Sequence, residues 1–164
     1  MMIRDRIKEL RRVRAGDLKP NPKNWRTHPE AQRAALQAML AEIGYVDALL
    51  ARETPDGLML IDGHLRADTT PDTEVPVLIV DLDDAEADKV LATFDPLAAM
   101  AETNGEQLKA LLASVTTGED ALRSMLDGLA EDVGLIPIPE GNKSLDEAAM
   151  AKTETECPKC GFQW

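Results

Sequence analysis

The sequence predicts an α/β (α+β) protein in which helices flank a small mixed sheet, with a C-terminal helical appendage and a zinc-knuckle-like tail. The 164 residues are 44% hydrophobic, which is enough for one buried core. Short apolar runs such as "LMLID" and "VPVLIV" alternate with segments of helical periodicity. An Asp-Gly pair separates two of the strand-like runs, which favours a β-hairpin.

The charge of the chain is unevenly distributed. The net charge is −12, but residues 1–33 hold ten Lys or Arg against four Asp or Glu, whereas residues 34–164 hold eight against twenty-six. A basic arm can contact phosphates locally, although the acidic body weakens long-range attraction to DNA. No apolar run approaches the roughly 20 residues that cross a bilayer. The sequence therefore predicts a cytoplasmic protein.

The first half of the chain is predicted to begin with a basic N-terminal arm, residues 1–12. Apolar residues at helical spacing favour a short basic helix there, followed by a strand near Arg12 to Leu18, and a frayed terminus is the alternative. "KPNPKNWRTHPEAQ" then favours turns because of its proline and asparagine residues. A helix is predicted from about Pro29 to Ile43, because proline is tolerated in a first helical turn and Gly44 ends the apolar pattern.

The rest of the predicted domain, residues 13–100, alternates strands and helices. "DALLARE" and "LMLIDG" are predicted to pair as a hairpin, and "HLRADT" to form a short helix. "VPVLIVDL" is typical of a strand buried on both faces. "DDAEADKVLATF" opens with acidic residues suited to a helix N-terminus.

Residues after position 100 divide into three predicted segments. A helical appendage at 101–133 contains weak helical patterns at Leu108–Val115 and Asp120–Leu129, which we expect to pack on the body or on a partner. A proline- and glycine-containing linker follows at 134–156. The chain closes with a knuckle, "CPKCGFQW", at 157–164.

A candidate phosphate site follows the second hairpin strand. Gly63 permits a sharp turn into a helix whose first N–H groups can bind an anion. His64 can donate a hydrogen bond or shuttle a proton, and Arg66 offers a planar fork suited to phosphate. Asp62 could hold a metal ion or orient His64. The alternative is a simple turn in which His64 caps a helix and Arg66 pairs with Asp62 or Asp68.

A second polar cluster lies in "NPKNWR", just before the predicted helix. Asn21, Asn24 and Arg26 could meet an anion there, and an asparagine-rich turn is the alternative. Together with the order of elements, these two motifs resemble the ParB N-terminal domain family of the ParB/sulfiredoxin fold. The resemblance covers residues 13–100. It places Gly63, His64 and Arg66 in the family's Gly-Glu-Arg-Arg box, and Asn21, Pro22, Asn24 and Arg26 in the preceding segment.

The resemblance implies nucleotide binding, with cytidine triphosphate and Mg²⁺ as in the partition proteins, and some family members are described as nucleases. Short stand-alone members resemble proteins encoded by bacteriophages and prophages. The expected function is a nucleotide- or DNA-phosphate-binding module in phage or plasmid DNA metabolism. In a nuclease or NTPase, His64 would act as general acid or base, Arg66 would stabilise developing charge, and Asp62 would hold the divalent metal.

The chain also departs from the family pattern. Leu65 replaces the first arginine of the box, and "DKVLATFDPLAAM" lacks the asparagine and arginine of the family's later site segment, which weakens the expectation of triphosphate hydrolysis. Cysteine is absent from the box, which excludes sulfiredoxin chemistry. The alternative function is a protein-interaction or regulatory module with a vestigial phosphate site, docking or dimerising through its acidic helices and tail.

The tail carries a candidate zinc site at Cys157 and Cys160. The Cys-x-x-Cys spacing followed by glycine is half of a structural zinc site, which needs four ligands. Two chains sharing a site, or a partner protein, would complete the ligand set. A metal-free dithiol is the alternative, since a stable disulfide is disfavoured in the cytoplasm.

Overall fold

The computed structural model describes residues 2–132 and residue 134. Its centre is a four-stranded mixed sheet with the spatial order β1-β4-β2-β3. The strands are β1 Ile7–Arg14, β2 Leu49–Thr54, β3 Gly57–Asp62 and β4 Glu74–Val80. Strand β4 runs antiparallel to β1 and parallel to β2, and β2 and β3 form an antiparallel hairpin. The predicted small mixed sheet is confirmed.

Five helices accompany the sheet in the described residues. They are α1 Glu30–Glu42, α2 His64–Thr69, α3 Asp84–Ala99, α4 Gly105–Leu112 and α5 Asp120–Asp132, and a short 3-10 turn spans Ala15–Asp17. The helix predicted from Pro29 to Ile43 is confirmed as α1, with these two residues as its caps. The hairpin, the short helix after it, the buried strand and the next helix are likewise confirmed. Within the part of the chain described, no helix has the length and hydropathy required of a membrane span.

The predicted short basic helix near the N-terminus is wrong. Residues Ile7–Arg14 form β1, which pairs with β4 from Ile7 opposite Val80 to Arg14 opposite Glu74. Residues 7–12 are therefore part of the sheet and not of a separate arm. The physical reason is that β4 needs hydrogen-bonding partners on both sides, and a charged, exposed strand is suited to a sheet edge. Tertiary pairing thus overrides the helical spacing of Ile3, Ile7 and Leu10.

The core lies on both faces of the sheet. On one face Leu49, Val75, Val77 and Ile79 are fully buried. On the other face, Ile61 and Val80 pack against Ala87 of α3. This second cluster fixes α3 beside the end of β3, the position from which the chain turns into α2.

Helices α4 and α5 correspond to the two weak helical patterns of the predicted appendage. Helix α5 packs against α1, and α4 contacts α5. Apart from Gly134, the predicted linker at 134–156 and the knuckle with Cys157 and Cys160 lie outside the described residues.

Candidate functional site

A cleft of about 330 Å³ lies where the end of β3 and α2 meet α1, α3 and the polar loop before α1. Its lining includes six of the seven predicted phosphate-binding residues: Asn24, Arg26, Asp62, Gly63, His64 and Arg66. The two motifs that are separated by about 40 positions in the sequence are therefore neighbours in the fold. Asn21 is buried and does not line the cleft.

Gly63 sets the direction of the chain at the bottom of the cleft. Its φ angle is +92°, in the left-handed region where side chains are strained. A Cβ atom at this position would lie 2.7 Å from Cγ of the fully buried Leu49. Backbone conformation and close packing both require glycine, as the motif predicted. The turn brings His64 and Arg66 into the cleft.

His64 holds the polar loop against α2. Its Nε2 accepts a hydrogen bond from the backbone N–H of Asn21 at 3.2 Å, and both residues are buried. Burial lowers the pKa of His64 below its ordinary value of 6.5, outweighing the nearby charges of Asp62 and Asp68, which act in the opposite direction. The neutral ring then carries its proton on Nδ1. His64 therefore connects the two motifs as a neutral side chain.

Arg66 is held by two carboxylates. Its Nη1 donates to Oδ2 of Asp47 at 2.5 Å, and its Nη2 donates to Oδ2 of Asp62 at 2.8 Å. The Arg66 side chain is 16% exposed, whereas that of Asp47 is 70% exposed. The ion pair between Arg66 and Asp62, which the sequence offered as an alternative to a phosphate site, therefore forms. Asp47 follows α1 and is an additional partner that the sequence did not indicate.

Arg26 is placed between a carboxylate and an aromatic ring. Its Nε lies 2.6 Å from Oδ2 of Asp95, although the N–H does not point at that oxygen in a hydrogen-bonding geometry. Its guanidinium carbon lies over the Trp25 ring, 5.1 Å from the centroid. The Oδ1 atom of Asn24 accepts a long, 3.4 Å hydrogen bond from the Arg26 backbone N–H, so the predicted asparagine-rich turn also forms.

The carboxylates that line the cleft outnumber its arginines. Three aspartates, Asp47, Asp62 and Asp95, face two arginines there. Leu65 is buried and lines the cleft with an apolar side chain. Helix α2 has only six residues, so its dipole contributes less than a longer helix would. A bound anion must therefore compete with carboxylates for the arginine side chains.

The described residues contain no group of three or more His, Cys, Asp or Glu side chains arranged to hold a metal ion. Oδ2 of Asp62, the expected metal ligand, accepts a hydrogen bond from Arg66. Any divalent ion at this cleft would need further ligands from a bound molecule, as Mg²⁺ usually takes from phosphates. The zinc ligands predicted in the tail lie outside the described residues.

Sequence reasoning missed several residues of the cleft. Asp47 and Asp95 neutralise its arginines, and Trp25 and Phe94 add aromatic rings to its lining. The aspartates come from a loop and a helix that tertiary packing brings to the site, so no local pattern marks them. Trp25 is different: a large aromatic residue in an otherwise polar, turn-forming segment was a visible signal.

Comparison with known proteins identifies the fold. No protein-family model and no curated protein sequence matches the chain. Among solved structures, the chain is similar to a C-terminally truncated chromosome-partitioning protein ParB from Caulobacter crescentus in complex with CTP-γ-S. The TM-score is 0.52 and the identity 19%, with 77% of this chain and 71% of that chain covered. The protein thus has a ParB-like fold, as the sequence predicted.

Two further solved structures show weaker similarity. One is a Pnob8-like ParB-N domain, with a TM-score of 0.45 and 20% identity, covering 79% of this chain and 50% of that one. The other is the Caulobacter crescentus ParB complexed to the centromeric parS site, with a TM-score of 0.42 and 19% identity, covering 71% and 65%. The chain spans less than two thirds of either of these proteins.

Proposed function

We propose that the protein is a ParB-like module that binds a nucleotide or a DNA phosphate in the cleft at Gly63. The observation that carries this proposal is the convergence of Asn24, Arg26 and Arg66 on one cleft, from two motifs that are distant in the sequence. The similar Caulobacter crescentus protein, complexed with CTP-γ-S, supports a nucleoside triphosphate as the ligand.

Binding would proceed by exchange of ion pairs. Asp47 is the most exposed of the carboxylates that contact Arg66, so it is the partner that an entering phosphate would displace. A phosphate offers several oxygen acceptors to a planar guanidinium, and the resulting charge-assisted hydrogen bonds replace the one that Asp47 accepted. Mg²⁺ bound to the phosphates would offset the repulsion between them and the aspartates of the cleft.

Calorimetric titration with CTP, ATP, GTP and UTP, with and without Mg²⁺ at low salt, tests the proposal. We expect at least one nucleotide to bind, and Arg66→Ala to abolish binding while the circular-dichroism spectrum is retained. Arg14→Ala is the matched control, because Arg14 also pairs with an aspartate, Asp72, but lies away from the cleft. If neither a nucleotide nor DNA binds the unmodified protein, the proposal is refuted.

A more specific proposal is that the protein also cleaves the nucleotide or DNA that it binds. His64 would have to transfer protons through Nδ1, because its Nε2 accepts from Asn21. Arg66 would stabilise the negative charge that develops on phosphorus-bound oxygens. Incubation with plasmid DNA or nucleoside triphosphates should then yield products that His64→Gln does not form. A role in phage or plasmid DNA metabolism stays a prediction of the resemblance.

The second candidate is a protein-interaction module with a vestigial site. It is favoured by the pairing of both cleft arginines with aspartates. Exposed apolar residues at the end of α3, Leu97 and the C-cap Met100, also favour it. Light scattering with and without Zn²⁺ tests self-association. If two chains share a zinc through Cys157 and Cys160, elemental analysis should find about half a zinc ion per chain. A protein that stays metal-free and monomeric would contradict the shared site.

A further inference from the structure

Among the described residues two aromatic side chains are exposed, and both lie at the cleft. The whole chain has two Trp, one Tyr and two Phe. Trp25 is 59% exposed and Phe94 is 54% exposed, and both line the cleft. Tyr45 is half-buried, and its hydroxyl lies 2.5 Å from Oγ1 of Thr70. Large aromatic rings are costly to leave in water, so their concentration at one opening indicates a binding surface.

The two aromatic side chains come from separate parts of the fold. Trp25 belongs to the loop that precedes α1, and Phe94 belongs to α3. Two aliphatic residues, Met39 of α1 and Leu91 of α3, add to the apolar lining of the cleft. The charged lining includes Arg66 of α2, Asp62 at the end of β3 and Asp47 of the loop after α1, while Arg26 and Asp95 directly follow the two aromatic residues in the chain. The cleft therefore combines charged groups with apolar, aromatic side chains.

This combination suits the two chemical halves of a nucleotide. The phosphates need cationic hydrogen-bond donors, whereas the base is a flat π-system that gains free energy by stacking on aromatic rings. Arg26 lies next to both kinds of group, because its guanidinium carbon is over the Trp25 ring while its Nε is 2.6 Å from Oδ2 of Asp95. A guanidinium packed on the indole keeps that ring oriented beside the charged lining.

We propose that Trp25 and Phe94 form a nucleobase subsite, on which the base of the bound nucleotide stacks. This inference rests on the proposed nucleotide-binding function and adds the part of the cleft that recognises the base. Stacking is tolerant of sequence because every base has a π-face. Because of this subsite, a nucleotide should bind more tightly than a phosphate compound without a base.

The test compares CTP with inorganic triphosphate, which has no base, in a Trp164→Phe background where Trp25 is the only tryptophan. We expect CTP to change the fluorescence of Trp25 on binding and to bind more tightly than inorganic triphosphate. Trp25→Ala and Phe94→Ala should each weaken CTP binding by roughly 5- to 150-fold. Neither substitution should change the affinity for inorganic triphosphate by more than about twofold, because effects at independent sites add to within roughly 0.5 kcal/mol.

Two further variants separate stacking from general disturbance. Trp25→Phe keeps an aromatic face and should retain most of the CTP affinity that Trp25→Ala loses. Leu97→Ala is the matched control for Phe94→Ala, because Leu97 is a 63% exposed apolar residue of the same helix that does not line the cleft. It should leave CTP affinity unchanged.

The outcomes distinguish this inference from the function on which it rests. Equal affinity for CTP and inorganic triphosphate, or equal losses for both in Trp25→Ala and Phe94→Ala, would refute the base subsite and leave phosphate binding intact. Failure of the unmodified protein to bind either compound would refute both. Tight CTP binding with losses confined to CTP would support the subsite.

Discussion

Replacing Gly63 with alanine should destabilise the protein. Two separate effects act at this position. The φ angle of +92° places alanine in a strained backbone conformation, and the new Cβ would lie 2.7 Å from Cγ and 3.2 Å from Cβ of Leu49. Leu49 has 0% exposure and lies in the central strand β2, so it cannot move away without disturbing the core.

The structure supplies a control that separates the two effects. Gly44 has a φ angle of +90°, but a Cβ added there meets no atom within 4 Å. Gly44→Ala should therefore cost about 1 to 2 kcal/mol, the strain of a left-handed alanine. Gly63→Ala should cost an additional 1 to 3 kcal/mol or so for overpacking against Leu49. The difference between the variants measures the steric contact alone.

Urea denaturation followed by circular dichroism measures both free energies of unfolding. In a Leu49→Ala background, the cost of Gly63→Ala should fall towards that of Gly44→Ala, because the smaller side chain leaves space for the methyl group. If the two variants lose free energy of unfolding to within about 0.5 kcal/mol of each other, the steric contact between position 63 and Leu49 is refuted.

Three further predictions concern charge. Asp47→Asn removes a competitor for Arg66, so the affinity for CTP should rise. An ion pair that contributes about 1 kcal/mol predicts a rise of about fivefold, which calorimetry can measure. Unchanged affinity would show that Asp47 does not compete. Hydrogen bonds from Arg6 lower the pKa of Glu86 from 4.5 to about 2, so its stabilising effect is complete above pH 4.5 and is lost as the pH falls towards 2. The difference in Tm between the unmodified protein and Glu86→Gln should shrink over that range, and a constant difference would contradict the ion pair. Because burial lowers the pKa of His64, the unfolded chain binds that proton more readily, and stability should fall as the pH drops below 6.5. An NMR titration midpoint of the His64 ring at or above 6.5 would contradict its burial.

Local patterns in the sequence predicted most of the elements correctly. Helix α1 follows from Pro29 and Gly44 at its ends, and the β2–β3 hairpin from the Asp56-Gly57 turn, because these residues restrict the backbone by themselves. Strand β1 could not be predicted in the same way. Its spacing of Ile7 and Leu10 favours a helix. Only pairing with β4, in which Arg11 lies opposite Val77, 66 positions later in the chain, makes the extended form more stable.

The sequence by itself determined the backbone chemistry of the candidate site. Gly63, His64 and Arg66 lie within four consecutive residues. The turn and its functional groups could therefore be identified without knowledge of the tertiary structure. Only the tertiary structure decided the electrostatic state of the cleft. Asp47 and Asp95 reach Arg66 and Arg26 from other elements, and Phe94 of α3 lines the same cleft as Trp25. Such contacts depend on how α1 and α3 pack around the sheet, and no local sequence pattern encodes that packing.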